Sequence, residues 1–107
     1  MRLVRLLVLL VAVACSESTS SGGGVTVSVR NNFFDPATVT IAVGQGVTWV
    51  WSSGGTAHNV TFAVPDVAPP GCPTQGSGTC TRTFTATGTF TYVCRIHSGM
   101  SGRVLVQ

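Results

Sequence analysis

Three side chains that can bind a soft metal ion lie within seven residues near the C-terminus. They are the thiol of Cys94, the imidazole of His97 and the thioether of Met100, each separated from the next by two residues. Thiolate and thioether sulfurs select soft ions such as Cu(I), and imidazole suits copper in either oxidation state. Gly99 and Gly102 allow the backbone to turn, so the three donors can converge on one point. This spacing predicts a copper site.

A fourth ligand follows by elimination. Copper sites that carry single electrons combine two histidines, one cysteine and a long axial methionine. His58 is the only histidine of the chain besides His97. The pattern therefore predicts one-electron chemistry at a copper ion held by His58, Cys94, His97 and Met100.

The elements that must position these residues show a period of two. After Gly24, apolar and polar residues alternate in short runs separated by Gly, Pro, Asn and Ser, and no convincing helical period occurs. Such runs predict an all-β sandwich or barrel. The runs are Val25-Val27-Val29, Val39-Ile41-Val43, Val47-Trp49-Trp51, Val60-Phe62-Val64, Thr81 to Thr85, Phe90-Tyr92-Cys94 and Val104-Leu105-Val106.

The alternation also predicts where two of the ligands point. Side chains two residues apart in a strand share a face, so Cys94 lies on the face of Tyr92 and His58 on the face of Val60. If those apolar side chains face the core, the thiol and the imidazole both point inward at strand ends. His97 and Met100 then come from the following loop, which closes a largely dry site.

The sequence resembles the cupredoxins, the group of small blue-copper proteins that includes plastocyanin, amicyanin and pseudoazurin. The resemblance covers nearly all of residues 25–107. Its Cys-x2-His-x2-Met spacing is most similar to the short ligand loop of amicyanin. The resemblance implies a Greek-key β-sandwich or barrel of about seven to eight strands. It is carried by three segments in order: Val39 to Trp49 (VTIAVGQGVTW), Ala57 to Val60 (AHNV), and Gly88 to Gly102 (GTFTYVCRIHSGMSG).

The resemblance also implies a role for each residue of one copper site per chain. His58, Cys94 and His97 are implied as the close ligands and Met100 as the weak axial one. Asn59 is implied to tie the two ligand segments together by hydrogen bonds and to shield the sulfur. Contacts of this kind orient ligands and tune the redox potential. The ring edge of His97 is expected to reach the surface and pass the electron.

The remaining cysteines of the C-terminal part lie in an insertion that is predicted to be irregular. In an exported protein, Cys72 and Cys80 are expected to form a disulfide, and the plain alternative is two free thiols. An alternative is a zinc site made of Cys72, Cys80, Cys94 and His97, which has the right number of donors. That set leaves the other histidine and the methionine without a role. A disulfide between Cys94 and either neighbour would abolish the copper site.

The N-terminus reads as a targeting segment. Residues 1–14 combine a basic start with a short apolar run, typical of a secretory signal and too short to cross a bilayer. The run ends in small residues before Cys15, as in a bacterial lipoprotein signal, so we expect lipid attachment at Cys15; the alternative is cleavage near Ala14 without lipid. Residues 15–24 then form a flexible linker, and residues 25–107 the single domain.

The charge of the chain excludes a nucleic-acid partner. The net charge of +3 includes two arginines of the signal. Residues 15–107 keep four arginines against three acidic residues, a net charge of +1. No basic face remains that could neutralise phosphates. The membrane is therefore expected as a partner only through the lipid anchor on Cys15.

Three functions compete. The first is an exported, monomeric one-electron carrier, periplasmic or on the outer cell surface, between redox proteins such as a cytochrome, an oxidase or a dehydrogenase. The second is a periplasmic protein that buffers or delivers copper. The third is a β-sandwich interaction module without metal, which the complete ligand set disfavours. An enzyme is not expected, since multicopper oxidases and copper–zinc dismutases need more imidazoles than two histidines supply.

Overall fold

The computed structural model describes residues 24–107, and in this range the chain forms β-strands without helices. None of these described residues therefore belongs to a helix that could cross a membrane. The strands are β1 Val25–Arg30, β2 Phe33–Asp35, β3 Thr38–Ile41, β4 Gly46–Trp51, β5 His58–Phe62, β6 Cys72–Gln75, β7 Thr79–Thr83, β8 Gly88–Val93 and β9 Ser101–Val106.

The strands form two sheets that share one core. The first sheet has the order β2-β1-β4-β7 and the second β3-β9-β8-β5-β6. β1 pairs with β4 and β3 with β9 in parallel, and the other pairs are antiparallel. The predicted all-β sandwich is confirmed. Nine strands are present instead of seven to eight because the short edge strands β2 and β6 add to the predicted runs.

Aromatic side chains join the two sheets. Trp49 of β4 is fully buried and meets Tyr92 of β8 edge-to-face, with ring centroids 5.4 Å apart and an interplanar angle of 90°. It also meets Phe62 of β5 at 6.1 Å. Edge-to-face pairs of this kind add to the free energy gained by burial. Burial raises the pKa of Tyr92 to about 12, although the Trp49 indole partly opposes this effect, so the phenol stays protonated.

Two positions of the alternating pattern do not face the core. Val43 is 46% exposed and Val64 is 48% exposed, whereas the period of two predicted both to be buried. β3 ends at Ile41 and β5 ends at Phe62. Val43 and Val64 follow these ends, where side chains no longer alternate between the two faces of a sheet. The chain turns directly after β3, where Gln45 donates its backbone N–H to the carbonyl of Ala42.

The insertion around the two cysteines was predicted to be irregular, and this was wrong. Cys72 pairs with Val60, so part of the insertion forms β6 at the edge of the second sheet. An edge strand tolerates Pro73, because its missing N–H can face away from the neighbouring strand. Proline and glycine around Cys72 hid this strand from a sequence pattern.

A disulfide links the two sheets at this edge. Cys72 in β6 is bonded to Cys80 in β7, with the Cα atoms 6.1 Å apart. β6 and β7 are edge strands of different sheets, so the bond closes one side of the sandwich. Arg82 adds to this closure by donating to the backbone carbonyls of Pro70 and Gly71, both at 3.0 Å.

Removing the disulfide is expected to lower stability without removing the metal site. We expect the double variant Cys72→Ala, Cys80→Ala to lose roughly 2–3 kcal/mol of unfolding free energy, because a closed loop of this length restricts the unfolded chain. Denaturant unfolding of the metal-free proteins measures the difference. A midpoint equal to that of the parent would contradict the expectation.

Candidate metal centre

Two neighbouring strands place the first two predicted ligands at one end of the sandwich. β5 begins at His58, and Cys94 directly follows the last residue of β8. The two strands are antiparallel, with Thr61 opposite Val93. The start of β5 and the end of β8 therefore lie at the same end of the sheet. Hydrogen-bonded sheet holds both side chains in place.

The donor atoms of three predicted ligands lie close together. The Sγ atom of Cys94 is 3.9 Å from Nδ1 of His58 and 3.5 Å from Nδ1 of His97. The three donor atoms all fall within 4.8 Å of one another. The two imidazole rings are 4.4 Å apart between centroids. His58 is fully buried, the free thiol of Cys94 is buried, and His97 is half-buried.

The loop after Cys94 folds back to bring Met100 to the same end. The backbone N–H of Cys94 donates to the carbonyl of Met100 at 2.9 Å, and that of Met100 to the carbonyl of His97 at 3.3 Å. Gly99 has a φ of +80°, a conformation that most side chains disfavour. The Met100 side chain is buried, so the thioether belongs to the interior of this end.

Asn59 connects the two ligand segments, as the resemblance implies. Its backbone N–H lies 3.4 Å from Sγ of Cys94. Its side-chain oxygen accepts the backbone N–H of Arg95 at 2.9 Å and the hydroxyl of Thr61 at 3.3 Å. Its side-chain NH2 donates to the hydroxyl of Thr74 in β6 at 3.1 Å. The amide therefore fixes the start of the ligand loop relative to β5.

Truncating Asn59 is expected to weaken metal binding. We expect Asn59→Ala to lower the affinity for copper about 10- to 100-fold, as is usual when a partner that orients metal ligands is removed. Competition with a copper chelator measures the affinity. Thr89→Ala, at an exposed position of β8, serves as the control and should keep the parent affinity. An unchanged affinity in Asn59→Ala would show that the backbone contacts suffice.

The electrostatic environment favours a neutral ring at His58. Burial lowers the pKa of His58, and the neighbouring His97 lowers it further, because a second positive charge there is unfavourable. A neutral imidazole has a lone pair on one nitrogen and can bind a metal ion.

Two contacts of His58 have no signal in the sequence pattern. The indole N–H of Trp51 donates to the backbone carbonyl of His58 at 3.1 Å. Nε2 of His58 lies 3.3 Å from the side-chain oxygen of Asn31, 27 residues earlier in the chain. In the sequence, Asn31-Asn32 indicates only a turn. The neighbouring residues do not show which distant side chain that turn will contact.

The donor chemistry fits copper and overturns the zinc alternative. Cys72 and Cys80 are bonded to each other, so neither can serve with Cys94 as a thiolate ligand. Among residues 24–107, one free thiol, two imidazoles and a thioether remain as soft or borderline donors. This combination of soft sulfur and imidazole ligands is the one that blue-copper sites use.

A comparison with known protein families identifies the class of protein to which this fold and this site belong. Residues 23–107 match the family of copper binding proteins of the plastocyanin/azurin type. The chain belongs to this family, which confirms the resemblance to cupredoxins, and its cofactor is copper.

Individual relatives agree with the family. Halocyanin from Natronomonas pharaonis is 37% identical over 94 residues, which cover 78% of this chain and 54% of halocyanin. The chain thus spans about half the length of that relative. A solved structure of a reduced amicyanin variant is 27% identical with a TM-score of 0.70, covering 82% of this chain and 86% of amicyanin. A copper-containing nitrite reductase from Thermus scotoductus is 28% identical with a TM-score of 0.72, covering 91% of this chain but 25% of the reductase.

Proposed function

We propose that this chain is an exported one-electron carrier that binds one copper ion. His58, Cys94 and His97 would hold the ion through two imidazole nitrogens and a thiolate, and the buried thioether of Met100 would be the fourth ligand. The observation that carries the proposal is the approach of Sγ of Cys94 to Nδ1 of His58 and Nδ1 of His97, at 3.9 and 3.5 Å. When bound, copper supplies the Cu(II)/Cu(I) couple.

The protein contributes rigidity and exclusion of water. His58 is held by a strand, Cys94 by the end of a paired strand, and the loop carbonyl of Met100 by the N–H of Cys94. The buried side chains of His58, Cys94 and Met100 leave little room for solvent. Ligands fixed in this way move little when the charge of the ion changes, and small movement favours fast electron transfer.

Exposed apolar residues close to His97 in the chain support exchange with a redox protein. The half-buried ring of His97 is the one imidazole of the site that reaches solvent. Nearby in the chain, Ile96 is 51% exposed and Val93 is 42% exposed. A cytochrome, an oxidase or a dehydrogenase could dock here through apolar contact. The small net charge predicted for residues 15–107 gives little long-range steering, so we expect only weak salt dependence of this encounter.

A redox titration tests the carrier function. The copper-loaded protein should cycle reversibly between oxidised and reduced forms and keep its metal. Loss of Cu(I) to a metal-free acceptor protein during reduction would favour the second candidate, copper buffering or delivery. The burial of the donor atoms favours the electron carrier over copper delivery, because delivery requires the ion to leave the site.

The proposal includes no catalysis. The four donors would fill the coordination of a type 1 site and leave no position for a substrate. The similarity to the nitrite reductase covers 25% of that enzyme's chain, which is too small a part to carry that enzyme's reaction over to this chain. Failure of the copper-loaded protein to reduce nitrite with an artificial electron donor is the expected result.

Export and anchoring are part of the same proposal. The signal over residues 1–14 and the lipid site Cys15 lie outside the described residues. The disulfide between Cys72 and Cys80 supports an oxidising compartment outside the cytoplasm, such as the periplasm or the outer cell surface.

Removing the lipid site tests the anchor. We expect Cys15→Ala to shift the protein from the membrane fraction to the soluble fraction, because the linker of residues 15–24 has no apolar segment of its own. Fractionation with metabolic labelling by a fatty acid measures both location and modification. An unlabelled parent would show cleavage without lipid.

A further inference from the structure

We propose that Asn31 is a positioning residue that sets the tautomer of His58: its side-chain oxygen accepts the N–H of Nε2 and leaves the lone pair of Nδ1 directed at Cys94. None of the sequence patterns pointed to Asn31. The predicted effect of Asn31 on copper affinity rests on the proposed function. The predicted effect of Asn31 on the tautomer of His58 does not.

The two nitrogens of the His58 ring face different partners. Nε2 lies 3.3 Å from Oδ1 of Asn31, and Nδ1 lies 3.9 Å from Sγ of Cys94. A neutral imidazole has one N–H and one lone pair. An amide oxygen can only accept a hydrogen bond, so the nitrogen that faces it carries the proton. The nitrogen that faces the thiol is then free to bind a metal ion.

The fold brings Asn31 to this position across the sandwich. Asn31 and Asn32 form the turn between β1 and β2 of the first sheet, whereas His58 begins β5 of the second sheet. Asn32 has a φ of +69°, which makes the tight turn possible. Trp51 lies opposite Val29 on the neighbouring strand and donates its indole N–H to the His58 carbonyl. The first sheet therefore holds both the backbone and the ring of His58.

The orientation of the ring matters before any metal arrives. His58 is fully buried, so solvent has little access to exchange its partners. With the proton on Nδ1, that nitrogen would point an N–H at the thiol and would have to lose it before binding a metal ion. With the proton on Nε2, the ligand nitrogen is ready. Hydrogen bonds of this kind fix the tautomer and orientation of metal-binding histidines.

Four variants separate this role from a merely structural one. Asn31→Leu keeps the size of the side chain but removes the acceptor, and Asn31→Ala removes the acceptor with the least effect on the exposed turn. Asn31→Asp keeps an acceptor in the same place. Asn32→Gly is the control in the same turn, because glycine accommodates the positive φ.

The first measurement uses the metal-free protein with ¹⁵N-labelled histidine. Long-range ¹H–¹⁵N correlation spectra in mildly alkaline solution show which ring nitrogen carries the proton. We expect a single Nε2–H tautomer in the parent, in Asn31→Asp and in Asn32→Gly. We expect a mixed or Nδ1–H population in Asn31→Leu and Asn31→Ala. A parent with the proton on Nδ1, or an unchanged tautomer in both Leu and Ala variants, would overturn the proposal.

The second measurement is copper affinity by competition with a chelator. We expect a loss of about 10- to 100-fold in Asn31→Leu and Asn31→Ala, and parent affinity in Asn31→Asp and Asn32→Gly. Equal affinity in all variants despite a changed tautomer would overturn the link to copper binding. An Nε2–H tautomer that depends on Asn31, in a protein without a blue copper site, would support this inference and contradict the proposed function.

Discussion

Replacement of Cys94 by serine is expected to abolish the intense blue absorption of the copper-loaded protein. The band arises from charge transfer between a thiolate and Cu(II), and Cys94 is the one free cysteine of residues 24–107. Serine has nearly the same shape, so the buried position next to His58 should tolerate it. A hydroxyl is a harder donor than a thiolate and binds copper more weakly. The expected effect is complete loss of the band.

Visible absorption after addition of one equivalent of Cu(II) provides the measurement. The matched control is the double variant Cys72→Ala, Cys80→Ala, which removes the two other sulfurs of the described cysteines and leaves Cys94 in place. It should keep the blue band while losing stability. A blue Cys94→Ser protein, or a colourless parent that prefers zinc, would contradict the assignment of the site.

The sequence predicts the buried residues best in the central strands. A period of two needs only local residues, and it correctly placed the core residues of β4, β5 and β8, such as Trp49, Val60 and Tyr92. From the same pattern it followed that His58 and Cys94 point inward. The two apolar residues that proved exposed, Val43 and Val64, lie beyond the ends of their strands. Periodicity does not show where a strand stops.

The residues that support the site from a distance were not predictable in this way. Asn31, Thr74 and Trp51 reach the ligand segments through the pairing of sheets and through turns. Their contacts depend on register and on sheet packing, which no local pattern contains. Thr74 lies in β6, a strand whose proline and flanking glycine resemble a loop. The metal ligands can be predicted from the sequence because of their donor chemistry. The residues that hydrogen-bond to the ligand segments can be identified only from the folded structure.

The two parts of the site therefore depend on different regions of the chain. Cys94, His97 and Met100 come from one short segment, whose backbone hydrogen bonds close it locally. His58 and Asn59 depend on β5, which contacts β6 and β8 and, through Trp51, the first sheet. Changes in the packing between strands should thus act on the metal centre through β5 and β8, even when they lie far from it in sequence.

A methyl group at Gly102 is expected to test this dependence with a large loss of stability. Gly102 lies opposite Tyr92 in the pairing of β9 with β8, and a Cβ there would overlap the hydroxyl group and Cζ of Tyr92. The ring of Tyr92 cannot easily retreat, because Phe34 packs against it at 4.7 Å and Trp49 at 5.4 Å between ring centroids. Overpacking of a closed core costs about 1–3 kcal/mol and sometimes more.

We therefore expect Gly102→Ala to lower the unfolding free energy by about 3 kcal/mol, near the upper end of that range. Tyr92 lies two residues before Cys94 on the same face, so a displaced ring should also weaken copper binding. Denaturant unfolding of the metal-free protein and chelator competition measure the two effects separately. Ser101→Ala, at the exposed neighbouring position, is the control and should change neither. Full stability in Gly102→Ala would mean that β8 and β9 can shift apart without cost, and the rigidity that the electron carrier needs would then have to come from the ligand loop alone.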